Sequence, residues 1–297
     1  MLLGYGAAKA GVFDEAATRG LSLFVFNFAI PIMLVRTLGR VALPPEPDWA
    51  LLAVYFTGAF AIYAAGSLAA TRLFGRGGAE PAIFGISAAF SNTLILGIPL
   101  VLEAFGEAAA VPLFLIVAFH SPLLFTVTTA VAEAGLGAGQ PLRHLPFNIA
   151  RSLVTNPIML GLLAGLAVNL GGLELPGVVD KLASYLSQAA LPCALFALGA
   201  NLSRFRLGGA LRPALLLAAL KNLAHPLLVL LLARALDLGP MAFNVALTLA
   251  ACPSGINPYL FAARYKAAVP EASSTILVST VASVATLSLV LAWLRGG

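Results

Sequence analysis

The sequence predicts an all-α polytopic membrane protein of about ten transmembrane helices, built as two inverted five-helix repeats whose fourth helices are broken. Three observations predict it. The 297 residues are 60% hydrophobic and 10% charged, with a mean hydropathy of +0.98, whereas soluble domains run at about 45–50% apolar and about 25% charged. Apolar blocks approaching the ~20 residues of a membrane span recur along the whole chain. Two of these blocks carry Gly/Pro interruptions at corresponding places in the two halves.

Taken in order, the blocks run from 21 to 38, 50 to 73, 82 to 102, 109 to 131, 150 to 170, 182 to 201, 213 to 233, 240 to 262 and 273 to 294, after a fragment at 1 to 11. The fragment is too short to span and lacks a basic n-region and a cleavage site, so it reads as the tail of a first helix rather than a signal peptide. Sorting Lys and Arg by alternate loops puts Lys9, Arg19, Arg72, Arg76, Arg143, Arg151, Arg204, Arg206, Arg212, Arg264 and Lys266 on one side. Arg36, Arg40, Lys181, Arg234 and Arg295 fall on the other, and Lys221 falls inside a span. The positive-inside rule makes the richer side cytoplasmic, which predicts a multi-pass protein of the cell membrane with both termini outside.

A Gly-rich connection at 134–148 separates a first repeat, 1–133, from a second, 149–297. An offset of 161 residues superposes Gly4 on Gly165, Gly11 on Gly172, Leu21 on Leu182, Pro31 on Pro192 and Leu34 on Leu195 without a gap. Five helices per half is an odd number, so the second half enters the membrane from the opposite side, as in many secondary transporters.

The fourth helix of each half carries the chemistry. In Ser91-Asn92-Thr93-Leu94-Ile95-Leu96-Gly97-Ile98-Pro99, Pro99 cannot donate to Ile95 and Gly97 permits unwinding. In Cys252-Pro253-Ser254-Gly255-Ile256-Asn257-Pro258, two prolines free the carbonyls of Leu249 and Ser254. Backbone groups freed in lipid need a ligand, water or a polar side chain, and matched breaks point to a midplane binding site. Asn92, Thr93, Ser254 and Asn257 supply polar side chains there. A bland alternative is a pair of ordinary proline kinks, which is how Pro31 and Pro192 are read.

These residues resemble a known family. Asn92-Thr93-Leu94-x-x-Gly97-Ile98-Pro99 is similar to the fourth-helix motif of the auxin efflux carrier, or PIN-like, family, and Pro253-x-Gly255-x-x-Pro258-x-x-Phe261-Ala262-x-x-Tyr265 to its ninth-helix motif. The resemblance covers essentially the whole chain and suggests a bacterial-type member with a short central loop. It implies that helices 1, 2, 6 and 7 form a scaffold that often dimerises, while helices 3–5 and 8–10 carry the substrate, with the fourth and ninth helices crossing at the site. It also implies elevator-type movement of organic anions such as malate, malonate or indole-3-acetate. The chain departs from the family pattern in lacking an acidic residue between Trp49 and Phe74, which removes carboxylate-based proton coupling there.

An anion suits the spans physically. Half-helix N-termini offer unpaired N–H groups and partial positive charge, and Lys221 is the full charge well inside a span. Lys221 reads either as a partner of the substrate or as a structural peg on freed carbonyls. His225, one turn on, and His120, before Ser121-Pro122, are open between proton transfer and ordinary hydrogen bonding. Glu103 and Glu107 read as interface residues.

Other chemistry is not indicated. Cys193 and Cys252 both sit in spans, three scattered histidines have no zinc spacing, and Ser254 is preceded by proline instead of the glycine of a nucleophile elbow. No phosphate loop is present, so no cofactor, metal, enzymatic activity or nucleic-acid partner is expected. The leading expectation is a secondary carrier for a small organic anion. The alternatives are a channel or sensor on the same fold, or a sodium-coupled symporter similar to bile-acid transporters.

Overall fold

The computed structural model describes residues 1–44, 46–137, 155–203 and 210–296, and its regular elements are helical. In chain order the α-helices are α1 (Leu2–Lys9), α2 (Glu15–Phe24), α3 (Ile30–Leu38), α4 (Trp49–Phe74), α5 (Glu80–Ala89), α6 (Ile98–Phe105), α7 (Ala110–Gly135), α8 (Pro157–Leu170), α9 (Gly177–Leu202), α10 (Leu211–Ala219), α11 (His225–Ala235), α12 (Pro240–Ala251), α13 (Asn257–Tyr265) and α14 (Val269–Gly296). One-turn π segments at Val25–Ala29, Thr93–Gly97 and Leu220–Ala224 run into α3, α6 and α11. Among the described residues, six helical stretches are long and apolar enough to cross a membrane, and Thr93–Phe105, Pro157–Leu170 and Pro240–Ala251 are shorter apolar helices. Most of the expected 134–148 linker lies outside the described residues.

Helix starts follow local chemistry. The carboxylates of Asp14 and Asp48 accept the backbone N–H of Ala17 at 2.8 Å and of Leu51 at 2.9 Å, and the amide oxygen of Asn156 accepts that of Ile158 at 2.9 Å, ahead of Pro157. Each satisfies a donor that a helix N-terminus would otherwise leave open.

The chain packs as two compact units. The first comprises Met1–Pro47, Leu94–Phe114 and Phe147–Phe205. Within it α3 lies directly on α8, because Gly161 and Gly165 present bare backbone to Pro31 and Leu34; a Cβ on Gly161 would stand 2.7 Å from the Pro31 Cα. Asn169 then donates to the carbonyls of Leu38 at 2.8 Å and Val41 at 2.7 Å, closing the C-terminal end of α3. Arg36 and Arg40 converge on Asp180 at 2.8 and 2.5 Å.

The second unit comprises Asp48–Thr93, Leu115–Pro146 and Arg206–Gly297. In lipid there is little hydrophobic drive between helices, so close van der Waals contact between small residues carries much of the packing. α4 and α5 use it at Gly66, where a Cβ would meet the Phe84 carbonyl oxygen at 2.8 Å. Ile83, Phe84, Ile86, Phe90, Leu124, Leu217 and Ala272 form its core. The stretch from Leu220 through α11 is two-faced at helical spacing. Lys221, His225, Val229 and Ala233 are buried along one stripe, while Leu223, Leu227 and Leu231 are more than half exposed along another. That second stripe is the one suited to lipid.

Around the fourth-helix break the chain leaves the α-helical ladder twice. It opens fully at Phe90–Asn92, with Phe90 extended at φ −74°, ψ 105°, and the π turn Thr93–Gly97 then runs without interruption into α6. Pro99 lies inside that continuous helix, where its missing N–H leaves the ladder one donor short, and Gly97 is helical at φ −61°, ψ −53°.

Candidate functional site

α5 ends at Ala89 and α12 at Ala251, and each runs into an extended residue, Phe90 and Cys252. The two breaks pair with each other. Asn92 N–H donates to the Pro253 carbonyl at 2.8 Å, Gly255 N–H donates to the Phe90 carbonyl at 3.1 Å, and Ser91 lies opposite Ser254 in an antiparallel bridge. A shift of 163 residues, carrying Phe90 to Pro253, Ser91 to Ser254 and Asn92 to Gly255, exchanges one bond with the other. The residue types follow from this geometry. Pro253 cannot continue the helical ladder, and a Cβ at Gly255 would lie 3.0 Å from the Phe90 ring.

Polar side chains surround the pair. Ser279 Oγ accepts the Ser254 N–H at 2.9 Å and donates to Asn222 Oδ1 at 2.6 Å, while Asn222 Nδ2 donates to the Ser279 carbonyl at 2.8 Å. Lys221 Nζ donates to the Ala250 carbonyl at 2.6 Å, in the last turn of α12, and lies 3.0 Å from His225 Nδ1. A lysine at a helix C-terminus opposes the negative end of its dipole. His120 Nε2 stands 3.2 Å from the Ser91 carbonyl, and its Nδ1 stands 3.3 Å from the Tyr55 hydroxyl. The Tyr55 ring is 5.7 Å from that of His120 and 5.9 Å from that of His225.

Several polar atoms remain unpaired here. Ser91 Oγ, Thr93 Oγ1 and Ser254 Oγ at the breaks, Ser87 Oγ and Thr248 Oγ1 nearby in sequence, and His225 Nε2 beside Lys221 on its own helix are buried and make no hydrogen bond among the described residues. The Tyr55 side chain sits against Ser91 without meeting strict hydrogen-bond geometry. Native proteins leave few buried polar groups unsatisfied, and those few call for a reason. The buried acid of this unit, Glu271, is held by Arg76 at 2.9 Å. The surroundings of the breaks are therefore rich in hydroxyls and basic nitrogens, a composition suited to an anion.

Of the residues singled out in the sequence, the structure gathers Asn92, Thr93, Pro253, Ser254 and Gly255 at the pairing. Lys221 joins them through Ala250, His225 through Lys221, and His120 through Ser91. Asn257 and Pro258 open α13, with Asn257 half-buried. Gly97 and Pro99 belong to the other unit. There Pro99, Glu103 and Glu107 line a cavity of about 250 Å³ with Arg36 and Ser187. A cavity of about 440 Å³ lined by Arg36, Arg40 and Glu174 also lies in that unit, remote from the chemistry in character. Sequence reading missed Asn222, Ser279 and Tyr55. An Asn inside an apolar span is itself a signal, but Ser279 is one of many hydroxyls in α14 and carries none. Among the described residues, no group of His, Cys, Asp or Glu is arranged to hold a metal.

Comparison with known proteins adds a family. The model described as "Membrane transport protein" matches residues 1–136 and 140–291. A Rhizobium meliloti protein named "Putative malonate transporter" is 33% identical, covering 100% of this chain and 93% of the relative. A Methanothermobacter thermautotrophicus "Uncharacterized transporter" is 28% identical over 97% of this chain and 93% of the relative. "Auxin efflux carrier component 8" of Arabidopsis thaliana is 27% identical over 93% and 89%.

Proposed function

Because the chain belongs to the membrane transport protein family, we propose that it is a secondary carrier for a small organic anion, with malonate the first candidate. The anion binds at the paired breaks of the second unit, and elevator-type alternating access carries it across the cell membrane. One observation carries this reading: buried hydroxyls of Ser91, Thr93 and Ser254 lack partners where two broken helices meet beside a buried lysine. Carboxylate oxygens accept from such hydroxyls and from an ammonium group in strong charge-assisted bonds. The name of the Rhizobium relative supports malonate. That α5 and α12 both break and meet at these residues supports an inverted repeat. Homodimerisation through helices of the first unit, and both termini outside, belong to the same proposal.

A binding measurement tests it. A ligand that binds only the folded state stabilises by RT ln(1 + [L]/Kd), about 2.7 kcal/mol at 100 times Kd. Malonate, malate and succinate are titrated against the purified protein while its melting temperature is followed. At least one should raise that temperature saturably, and Ser254→Ala should blunt the rise. No shift with any carboxylate, at concentrations up to tens of millimolar, counts against the reading.

A further inference from the structure

We infer that Lys221 couples anion movement to a proton, taking one up as the anion binds and giving it up as the anion leaves, so that the carrier is a proton–anion symporter. This rests on the proposed anion site at the paired breaks. The first observation is the company Lys221 keeps. It is fully buried, and neither of its two hydrogen-bonding neighbours, the Ala250 carbonyl and His225 Nδ1, is an anion. The titratable groups around it are His225 on its own helix, Tyr55 on α4, His120 on α7 and Cys252 at the α12 break. α14 brings Ser279, which bonds to Asn222, the residue after Lys221. None of these is a carboxylate, and Glu271, at the start of α14, is taken by Arg76.

The second observation is the donor count. A neutral amine has two N–H groups and a lone pair, so it can meet the Ala250 carbonyl and His225 Nδ1 whichever ring nitrogen carries the proton. An ammonium has three, and the third finds no acceptor among the described residues. A buried charge without a partner is costly, so the empty site has no counter-charge for the ammonium, and an arriving carboxylate supplies both that charge and the missing acceptor. The unpaired Ser254 Oγ and Thr93 Oγ1 mark where its remaining oxygens bind. The step balances simply: amine, proton and anion give an ammonium–carboxylate pair, and dissociation on the far side returns all three. No covalent bond changes. One proton moves with each anion, so a monoanion crosses without net charge and a dianion with one negative charge. This mechanism needs no carboxylate, which agrees with the absence of an acidic residue between Trp49 and Phe74.

The test uses purified protein in liposomes containing a pH-sensitive dye, with protein-free liposomes subtracted. External malonate should acidify the lumen by one proton per malonate taken up, and an inwardly directed proton gradient should speed initial uptake several-fold. Lys221→Arg keeps a fixed positive charge. Whatever its rate, the malonate it carries should move without acidification and without a response to the gradient. Wild-type uptake of malonate, malate or succinate without acidification overturns the coupling while leaving the carrier reading intact. Uptake of none of the three overturns the carrier reading, and the coupling with it. Acidification that survives in both Lys221→Arg and Lys221→Gln overturns the assignment to Lys221. The wild-type proton count decides the coupling even where a variant fails to fold.

Discussion

Replacing Ser279 with alanine removes one oxygen that serves two partners. Its hydroxyl accepts the Ser254 N–H at 2.9 Å and donates to Asn222 Oδ1 at 2.6 Å, and all three residues are buried. The variant therefore leaves a backbone donor and an amide acceptor unpaired at the α12 break. An orphaned buried polar group costs about 1–3 kcal/mol, but measured side-chain bonds between membrane helices average nearer ~0.6 and reach ~1.7 kcal/mol. Two lost bonds at about 1 kcal/mol each, between that mean and that maximum, give about 2 kcal/mol, close to 30-fold in the unfolding equilibrium at ~1.4 kcal/mol per tenfold. Reversible unfolding in mixed detergent micelles measures it. Ser283→Ala is the matched control, because Ser283 Oγ donates only to the Thr280 carbonyl of its own helix, at 2.8 Å; it should cost under about 0.5 kcal/mol. Malonate uptake should fall in Ser279→Ala by more than the stability loss explains, since the Ser254 backbone is no longer held. If the two variants are equally stable and equally active, the network around Ser254 does not support the break.

Asn92→Ala and Asn257→Ala should each lower malonate uptake at least tenfold with near-normal expression and folding; wild-type uptake in both would remove the breaks from the mechanism. Gly66→Ala sets a Cβ 2.8 Å from the Phe84 carbonyl oxygen, a backbone atom that cannot swing aside, so the second unit should lose roughly 1–3 kcal/mol of stability; no loss would show that α4 and α5 are not closely packed there. Asp180→Asn severs a partly exposed ion pair with Arg36 and Arg40 and should change stability by under about 1 kcal/mol. A larger loss would mean that this cluster is screened from water.

Much of the architecture was legible because hydropathy and proline chemistry act over short stretches. The apolar blocks at 50–73, 182–201 and 213–233 correspond to α4, α9 and the stretch from α10 through α11. Pro253 marked the second break because a residue without an N–H ends a ladder wherever it falls. Pro99 marks a π turn inside the Thr93–Phe105 helix, whereas the full opening, at Phe90–Asn92, is fixed by pairing with a segment more than 160 residues away. Local sequence does not encode a long-range backbone bond. Lys221 stood out as a charge in a span, but its contact with Ala250 depends on how α12 ends beside it. Asn222 was readable as an amide inside an apolar span, whereas Ser279 is distinguished from the other hydroxyls of α14 only by its hydrogen bonds to Asn222 and Ser254.

The central claim is a carrier that binds an anion at the paired breaks and returns empty or loaded, and counterflow tests that most directly. Liposomes holding purified protein and preloaded with unlabelled malonate are diluted into a trace of radiolabelled malonate. The account predicts transient accumulation of label above equilibrium, saturating with concentration and abolished in a Ser91→Ala, Ser254→Ala double variant that remains folded. Label that never overshoots, with flux linear in malonate concentration, would contradict it and identify a pore.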